Sequence, residues 1–353
     1  MTDFMIVGRG LAATCLMHAF HKKNITFKVF GDPNLSLSSR VAAGIWNPVV
    51  FKRLTKSWKA EKLIPALLSF YDDSEKLLDC RLIKQRPIIK PFTEEQEKKL
   101  WKKKSDLELD GFLDPKIHNA GRNLQQLKVP NSYGLVLQSG NLDVKLFLES
   151  SSVFFKDHVT ETRFNYNELL LAENYAEYQG VKARNIVFCE GYLVGENPYF
   201  NWLPLKPAKG EVLTIQTNIQ GLGDNIFNRN GFLMHLSDDH FKLGATYEWK
   251  DLSAEPTEAG LMELKSKLKE MTDAPYKVIS HEAGIRPSSV DRRPLIGPHP
   301  VHQNLFVFNG LGTKGVMLAP YLSENFVNFF LEKEVLLPEV HIKRFYNLYD
   351  QSN

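Results

Sequence analysis

Residues 3–31 hold the pattern that most restricts the fold of this chain: an apolar run, two glycines, an amphipathic segment and a second apolar run. "FMIV" is typical of a buried strand, and apolar residues recur through "LAATCLMHAFHKK" at the spacing of one helical face. "FKVF" then predicts a second strand. Two strands joined by a helix pair in parallel through a right-handed crossover, so the chain is expected to build an α/β sheet.

The glycines of this unit form a GxGxxA motif with Gly8, Gly10 and Ala13. The first glycine permits a tight turn, the second lets the backbone approach a pyrophosphate, and the small third residue packs the helix on the sheet. An ordinary glycine turn is the alternative, and the compact βαβ setting favours a dinucleotide. Gly31 stands where the ribose-binding acid is expected, so Asp32 either replaces that acid or caps a turn.

Composition bounds the class of protein. A length of 353 residues suggests about two domains, and 43% hydrophobic with 24% charged residues is globular. A net charge of +3 is too small to indicate a nucleic-acid partner. Cys15, Cys80 and Cys189 lie far apart without metal-ligand spacing, so we expect no disulfide, no metal site and a reducing, cytoplasmic location. Because no apolar stretch reaches the roughly 18 residues of a spanning helix, no membrane span is expected.

Parallel-type units at both ends of the chain enclose antiparallel signals such as "GEVLTIQ", "GFLMHL" and "HFKLGATYEW". This order predicts a Rossmann-type dinucleotide domain with an inserted mixed or antiparallel-sheet substrate domain. The predicted division is dinucleotide domain 1–60, substrate domain 61–140, dinucleotide domain 141–205, substrate domain 206–278, and dinucleotide domain with tail 279–353.

Four helices are predicted between the terminal units. One covers residues 59–79, one starts near Asp143, and one covers 257–271. The fourth opens with a capping box of Thr93 and Gln96 and is rich in lysine. Its lysines form either a solvated face or a surface for RNA or an acidic partner.

The motifs together resemble the FAD-dependent amine and amino-acid oxidases of the D-amino acid oxidase and glycine oxidase superfamily. "SSRVAAGIWNPVV", "GNLDVKLFLES", "LPLKPAKGEVLTI", "FKLGATYEW", "AGIRPSSVDRRPLIG" and "NGLGTKGVMLAP" follow one another in the order of the family's segments. The resemblance runs from residue 3 to about residue 330. It implies non-covalent FAD, because the C-terminal loop has no cysteine of the kind that attaches flavin in sarcosine-oxidase-like relatives.

The resemblance also implies which residues lie along the FAD. A glycine-rich loop at a helix start near the C-terminus brings N–H groups to the pyrimidine edge of the ring, unless it is an ordinary helix start. Ser39 is otherwise a turn serine, and Val159, whose backbone would bind adenine, is otherwise a core valine. The full predicted set is Gly8, Gly10, Leu11, Ala12, Ala13, Asp32, Ser39, Arg40, Ala43, Gly44, Asn47, Val159, Gly191, Gly312, Thr313, Lys314 and Gly315.

Arg286, in "GIRP", corresponds to the arginine that binds the substrate carboxylate in this family. A planar guanidinium donates two parallel hydrogen bonds to a carboxylate, and a structural ion pair is the alternative role. The predicted substrate pocket adds Phe232, Met234 and His235, with His235 on the substrate side as a lining or structural residue. The implied reaction passes the α-carbon hydride of a small amine or amino acid to flavin N5, and O₂ or another acceptor reoxidises the flavin.

Two departures from the family pattern concern the substrate. Phe232 stands where glycine-oxidase-like members have an aromatic hydroxyl, and Thr313-Lys314 stands where they have an arginine. The substrate is therefore not taken to be glycine or a simple D-amino acid. Two further hypotheses are oxidation of an amine carried on a larger molecule, as in tRNA-modifying flavin domains, and a flavoprotein that binds a partner without turnover.

Overall fold

The computed structural model describes residues 1–33, 38–121 and 124–352. Their α-helices are α1 Leu11–Lys22, α2 Ser38–Val41, α3 Ala60–Leu78, α4 Glu95–Ser105, α5 Val144–Phe154, α6 Glu258–Met271, α7 Gly315–Phe330 and α8 Tyr346–Ser352. Within these residues, no helix combines the length and apolar character needed to cross a membrane.

The strands, in chain order, are β1 Thr2–Val7, β2 Phe27–Phe30, β3 Ile45–Trp46, β4 Val49–Val50, β5 Thr55–Lys56, β6 Ile83–Gln85, β7 Ile88–Phe92, β8 His118–Asn119, β9 Ser132–Val136, β10 Gly140–Leu142, β11 Val159–Thr160, β12 Leu170–Leu171, β13 Ala176–Tyr178, β14 Val181–Phe188, β15 Ala208–Thr217, β16 Ile226–Asn228, β17 Phe232–Ser237, β18 His240–Gly244, β19 Tyr276–Arg286, β20 Leu295–Pro298 and β21 Leu305–Asn309.

The first large sheet has the order β11-β2-β1-β14-β13-β12, and β21 with β20 extends it beside β14. Strands β11, β2, β1, β14 and β21 run parallel, which confirms the predicted βαβ unit. Alternate residues of β1 enter different cores: Phe4 and Ile6 pack with the helices on one face, and Met5 and Val7 pack on the other. A central parallel strand is buried on both faces, which explains the unbroken apolar run.

The second large sheet has the order β19-β15-β18-β17-β16-β7-β9-β8. Its neighbours run antiparallel except β16 and β7, which are parallel, so the predicted mixed sheet is confirmed. Helix α6 covers the face that points away from the first sheet, with Leu264, Leu268 and Met271 buried as the stripe predicted. The opposite face is therefore left to border the functional site.

The domain division remains a proposal, and two features bear on its boundaries. Strand β19 runs unbroken through residue 278, so the proposed boundary at 278/279 falls inside a strand of the second sheet. Helix α3, assigned by sequence to the substrate domain, packs against α7 in the core that also buries one face of β1. The alternation of sheet segments along the chain still supports an inserted second domain.

The start of α4 corrects one local prediction. Glu94, not Thr93, is the N-cap, and Glu97, not Gln96, completes the capping box. The Glu97 carboxylate accepts hydrogen bonds from the Thr93 amide and hydroxyl, at 2.6 and 3.0 Å, so it holds the turn before the helix as well. The predicted start of α5 is confirmed, since the Asp143 side chain accepts from the Leu146 amide at 2.9 Å.

The contact between β9 and α4 gives a test of the packing. A Cβ added at Gly134 would overlap the ring of Trp101, which is 1% exposed and donates its Nε1–H to the Asp114 carbonyl at 2.9 Å. Gly134→Ala should lower the free energy of unfolding by about 1–3 kcal/mol, because an overpacked core residue displaces its neighbours. Urea denaturation followed by tryptophan fluorescence measures this.

Gly195→Ala is the matched control, since a Cβ at Gly195 meets no atom within 4 Å. An equal loss of stability in both variants would contradict the assigned contact between Gly134 and Trp101.

Candidate functional site

A cavity of about 430 Å³ lies between the carboxyl ends of the parallel strands and the uncovered face of the second sheet. Its size is in the range of small-molecule and cofactor sites. Of the predicted residues, those that line it are Gly8, Gly10, Leu11, Ala12, Asp32, Ser39, Ala43, Gly44, Asn47, Gly191, Phe232, Arg286, Gly312, Thr313 and Gly315. Those that do not line it are Ala13, Arg40, Val159, Met234, His235 and Lys314.

The glycine loop is pressed against the end of β14. Gly8 has φ +115°, and a Cβ there would overlap the carbonyl oxygen of Cys189. A Cβ at Gly10 would lie 3.3 Å from Ser39 Oγ, which accepts a hydrogen bond from the Leu11 amide at 3.1 Å. The loop thus keeps the N-terminus of α1 open to the cavity, as a pyrophosphate site requires.

Helix α7 brings a second N-terminus to the same cavity. A Cβ at Gly315 would lie 3.2 Å from Leu11 Cδ2, so the first turns of α7 and α1 meet. Gly312 takes φ +56°, which a glycine adopts without strain. Two helix N-termini at one cavity favour negative groups there, so the geometry fits a dinucleotide and the electron-rich edge of a reduced flavin.

Lys314 lies in the predicted loop but points away from the cavity. Its Nζ donates a hydrogen bond to Ser57 Oγ, and Ser57 donates in turn to the Asn47 carbonyl at 3.0 Å. Burial, helped by the nearby charge of Arg293, lowers the pKa of Lys314 to about 8. The lysine therefore supports the segment that carries Asn47.

Two further predicted cofactor residues also lie off the cavity. On the short helix α2, Ser38, Ser39 and Val41 line the cavity, and Arg40 is exposed to solvent. Val159 lies in β11, opposite Val29 of β2, and its half-buried side chain packs against the first core. The direction of the Arg40 side chain follows from the local backbone, which the motif does not specify. The contact predicted for Val159 is made by its backbone and stays a prediction.

The arginine at the end of β19 lines the cavity, and its partners among the described residues are backbone carbonyls and an aromatic ring. The Nη1 of Arg286 donates to the Lys209 carbonyl at 3.1 Å, and its Nη2 donates to the Thr246 carbonyl at 3.2 Å. The ring centre of Tyr247 lies 4.9 Å from its Cζ, and a Cβ at Gly210 would overlap the guanidinium.

Burial lowers the pKa of Arg286, and no carboxylate of the described residues forms an ion pair with it. A half-buried cation with two fixed hydrogen bonds and further N–H groups available has the chemistry of an anion clamp. The alternative role, a structural ion pair, has no partner among these residues.

Strand register corrects the predicted substrate pocket. Phe232 pairs with Asn228 and Gly244, and this row faces the cavity. Because side chains alternate along a strand, His235 lies on the opposite face, where its Nε2 contacts the Asp238 carbonyl at 2.8 Å. Met234 shares the face of Phe232 but is 1% exposed within the first core.

The cavity also has lining residues that sequence reasoning missed. Asn228 and Val212 line the cavity with Phe232 on the second sheet. Both alternate along their strands with residues of the core, and this alternation in the sequence could have predicted that their side chains face the cavity. Glu190, directly before the predicted Gly191, and Tyr166 lie at the other end. No motif marks these two positions.

The class of protein follows from this cavity and from comparison with known proteins. The model of the FAD dependent oxidoreductase family matches residues 3–327. The chain therefore belongs to this family, and its cofactor is FAD.

Particular relatives are of two kinds. The glycine oxidases of Pseudomonas putida and Bacillus subtilis are 29% identical over 139 residues and 28% identical over 170 residues. The matches span 38% of both chains for the first and 46% of both for the second, less than half the length of each relative. A tRNA 5-methylaminomethyl-2-thiouridine biosynthesis bifunctional protein of Idiomarina loihiensis is 29% identical over 129 residues, covering 35% of this chain and 21% of that protein.

Solved structures share the fold over nearly the whole chain. Glycine oxidase from Geobacillus kaustophilus superposes with a TM-score of 0.79 at 17% identity, covering 95% of both chains. L-proline dehydrogenase from P. horikoshii has a TM-score of 0.79 at 16% identity, covering 98% of both chains. At this identity the likeness shows the fold alone.

Gly10 tests the dinucleotide site. The purified protein should be yellow and should release FAD, not FMN, on heat denaturation, whereas Gly10→Val should be isolated without flavin because a side chain occupies the approach of the pyrophosphate. Flavin content is read from absorbance and fluorescence of the heat-released supernatant.

Gly121→Val is the control, since a Cβ at Gly121 meets no atom within 4 Å. Circular dichroism verifies that Gly10→Val is folded. Normal flavin content in a folded Gly10→Val protein would place the pyrophosphate elsewhere.

Proposed function

We propose that this protein oxidises the C–N bond of a small amine or amino acid that carries a carboxylate. The observation that carries the proposal is Arg286, a half-buried cation with no acidic partner among the described residues, at the cavity of an FAD dependent oxidoreductase. The curated glycine oxidases that the chain matches in part support a small amino acid as substrate.

Positioning is the main contribution of the chain's own residues. The carbonyls of Lys209 and Thr246 fix two N–H groups of Arg286, and the remaining donors bind and orient the carboxylate. Ile226, Val212 and Phe232 line the cavity near this clamp with apolar side chains that exclude water from the reacting carbon. The chemistry that FAD supplies when bound is acceptance of a hydride from the substrate α-carbon, which leaves an imine for hydrolysis.

Cysteine placement supports non-covalent FAD. Cys189 lines the cavity, but burial and the adjacent Glu190 raise the pKa of its thiol well above the ordinary value, which keeps it unreactive. Cys15 is buried as well, and Cys80 lies off the cavity.

We also keep a cytoplasmic location and reoxidation by O₂ or another acceptor as predictions.

A second candidate is oxidation of an amine on a larger carrier, favoured by the partial matches to tRNA-modifying bifunctional proteins. The lysines of α4 support it less than their number suggests. Lys98 pairs with Glu95 at 2.8 Å, and Lys104 pairs with Glu108, as on an ordinary solvated helix.

Gel shift with bulk tRNA distinguishes this candidate. Anaerobic bleaching of the flavin by a panel of amines separates either enzyme from a partner protein without turnover.

Arg286→Lys tests the clamp. The variant should retain FAD and fold but bind carboxylates more weakly by about 2–5 kcal/mol, roughly thirtyfold to several thousandfold, since the bidentate geometry is lost. Benzoate titration, followed by perturbation of the flavin spectrum, and stopped-flow flavin reduction measure the effect.

Arg292→Lys is the matched control, because Arg292 is exposed and off the cavity. A structural arginine predicts a different result for Arg286→Lys: lower thermal stability and flavin loss, with carboxylate affinity of the surviving holoprotein unchanged. Parent-like benzoate binding by the variant would refute the clamp.

A further inference from the structure

The end of β2 offers no acidic side chain at the position where dinucleotide folds bind ribose. Gly31 occupies that position, and a Cβ there would lie 2.8 Å from Cγ and 2.9 Å from Cδ of Arg9. Arg9 lines the cavity and pairs with Glu161 at 2.8 Å. The stem of Arg9 therefore fills the space that a carboxylate at residue 31 would need.

A different carboxylate borders the same end of the cavity. Glu190 follows β14 directly, and it lines the cavity together with Phe164 and Tyr166 from the segment after β11. One carboxylate oxygen of Glu190 accepts from the Tyr166 hydroxyl at 2.5 Å, and the other accepts from the Asn197 amide at 2.7 Å. Asn197 is completely buried, so the carboxylate is fixed from behind.

The two protein donors leave part of the capacity of this carboxylate unused. An ionised carboxylate has about four lone-pair sites, and each oxygen of Glu190 accepts one described side-chain bond. Uncharged hydroxyls suit the remaining sites, because a carboxylate repels the phosphates, which we expect at the N-terminus of α1. FAD carries such hydroxyls on its ribose and on its ribityl chain.

We propose that Glu190, held between Tyr166 and Asn197, accepts a hydrogen bond from a sugar hydroxyl of FAD and takes over the function of the acid missing at Gly31. The ionised form is the better acceptor. Burial raises the pKa of Glu190 to about 7, with a contribution from the charge of Glu196, so the free site changes charge near neutral pH.

The charged and titratable groups around Glu190 are few among the described residues. Tyr166 and Cys189 have pKa values raised well above neutrality and stay uncharged. Glu196 lines the cavity and pairs with Arg163 at 3.3 Å on the surface. Lys314, whose pKa of about 8 also lies near this range, is off the cavity and donates to Ser57. A titration of cofactor binding near pH 7 that Glu190→Gln abolishes is therefore assigned to Glu190.

The experiment measures the dissociation constant of FAD from reconstituted apoprotein by quenching of flavin fluorescence, between pH 6 and pH 8. In the parent, affinity should fall by up to about tenfold from pH 8 to pH 6, because a carboxyl with a pKa of about 7 must lose its proton to bind. Glu190→Gln should bind FAD about tenfold to a hundredfold more weakly at pH 8 and without this pH dependence.

Tyr166→Phe keeps the carboxylate but removes one donor that stabilises its ionised form, so its pH midpoint should move upward. Glu173→Gln is the matched control, with expected parent-like affinity and parent-like pH dependence, because Glu173 is exposed and off the cavity. Competition by ADP distinguishes the two hydroxyl sources: a ribose contact weakens ADP binding in Glu190→Gln, and a ribityl contact leaves it unchanged. Parent-like FAD affinity and pH dependence in Glu190→Gln, or a loss confined to Asp32→Asn, would overturn the proposal.

Discussion

The close approach of Gly8 to the end of β14 is the constraint on which the rest of the site depends. Gly8 has φ +115°, and a Cβ at this position would overlap the carbonyl oxygen of Cys189, so only glycine fits. The approach lets β1 and β14 lie side by side to their last residues while the chain turns directly into α1. It therefore determines where the N-terminus of α1 opens and where Glu190 and Gly191 border the cavity.

The second sheet supplies what the first cannot, a fixed cation opposite the dinucleotide site. Arg286 of β19 is held by the carbonyls of Lys209 in β15 and of Thr246 just after β18, and both residues are anchored by further hydrogen bonds. Lys209 is 1% exposed, and its Nζ donates to Asp251 at 2.6 Å. The Thr246 hydroxyl accepts from the Glu211 amide at 2.9 Å. Because its supports are rigid, the guanidinium keeps one orientation, and no acidic side chain in the described part of the chain pairs with it.

The two ends of the cavity thus differ in electrostatic character. Arg286 on the second sheet is a half-buried cation, and Glu190 after β14 is a half-buried carboxyl group. The N-termini of α1 and α7 meet near Leu11 and Gly315. A dinucleotide with its phosphates at these N-termini and a sugar hydroxyl near Glu190, together with a carboxylate-bearing substrate at Arg286, matches these charges.

The sequence by itself determined the parts that depend on local pattern. The βαβ unit, the stripe of α6, the Asp143 cap and the family membership were all readable, because periodicity, glycine spacing and capping chemistry act over a few residues. Tertiary structure alone decided side-chain directions: His235 faces away from the cavity by strand register, and Lys314 turns to Ser57. It also decided that Arg286 has backbone carbonyls and no acidic partner among the described residues, and that Glu190 reaches Tyr166, since these contacts join segments that only folding brings together.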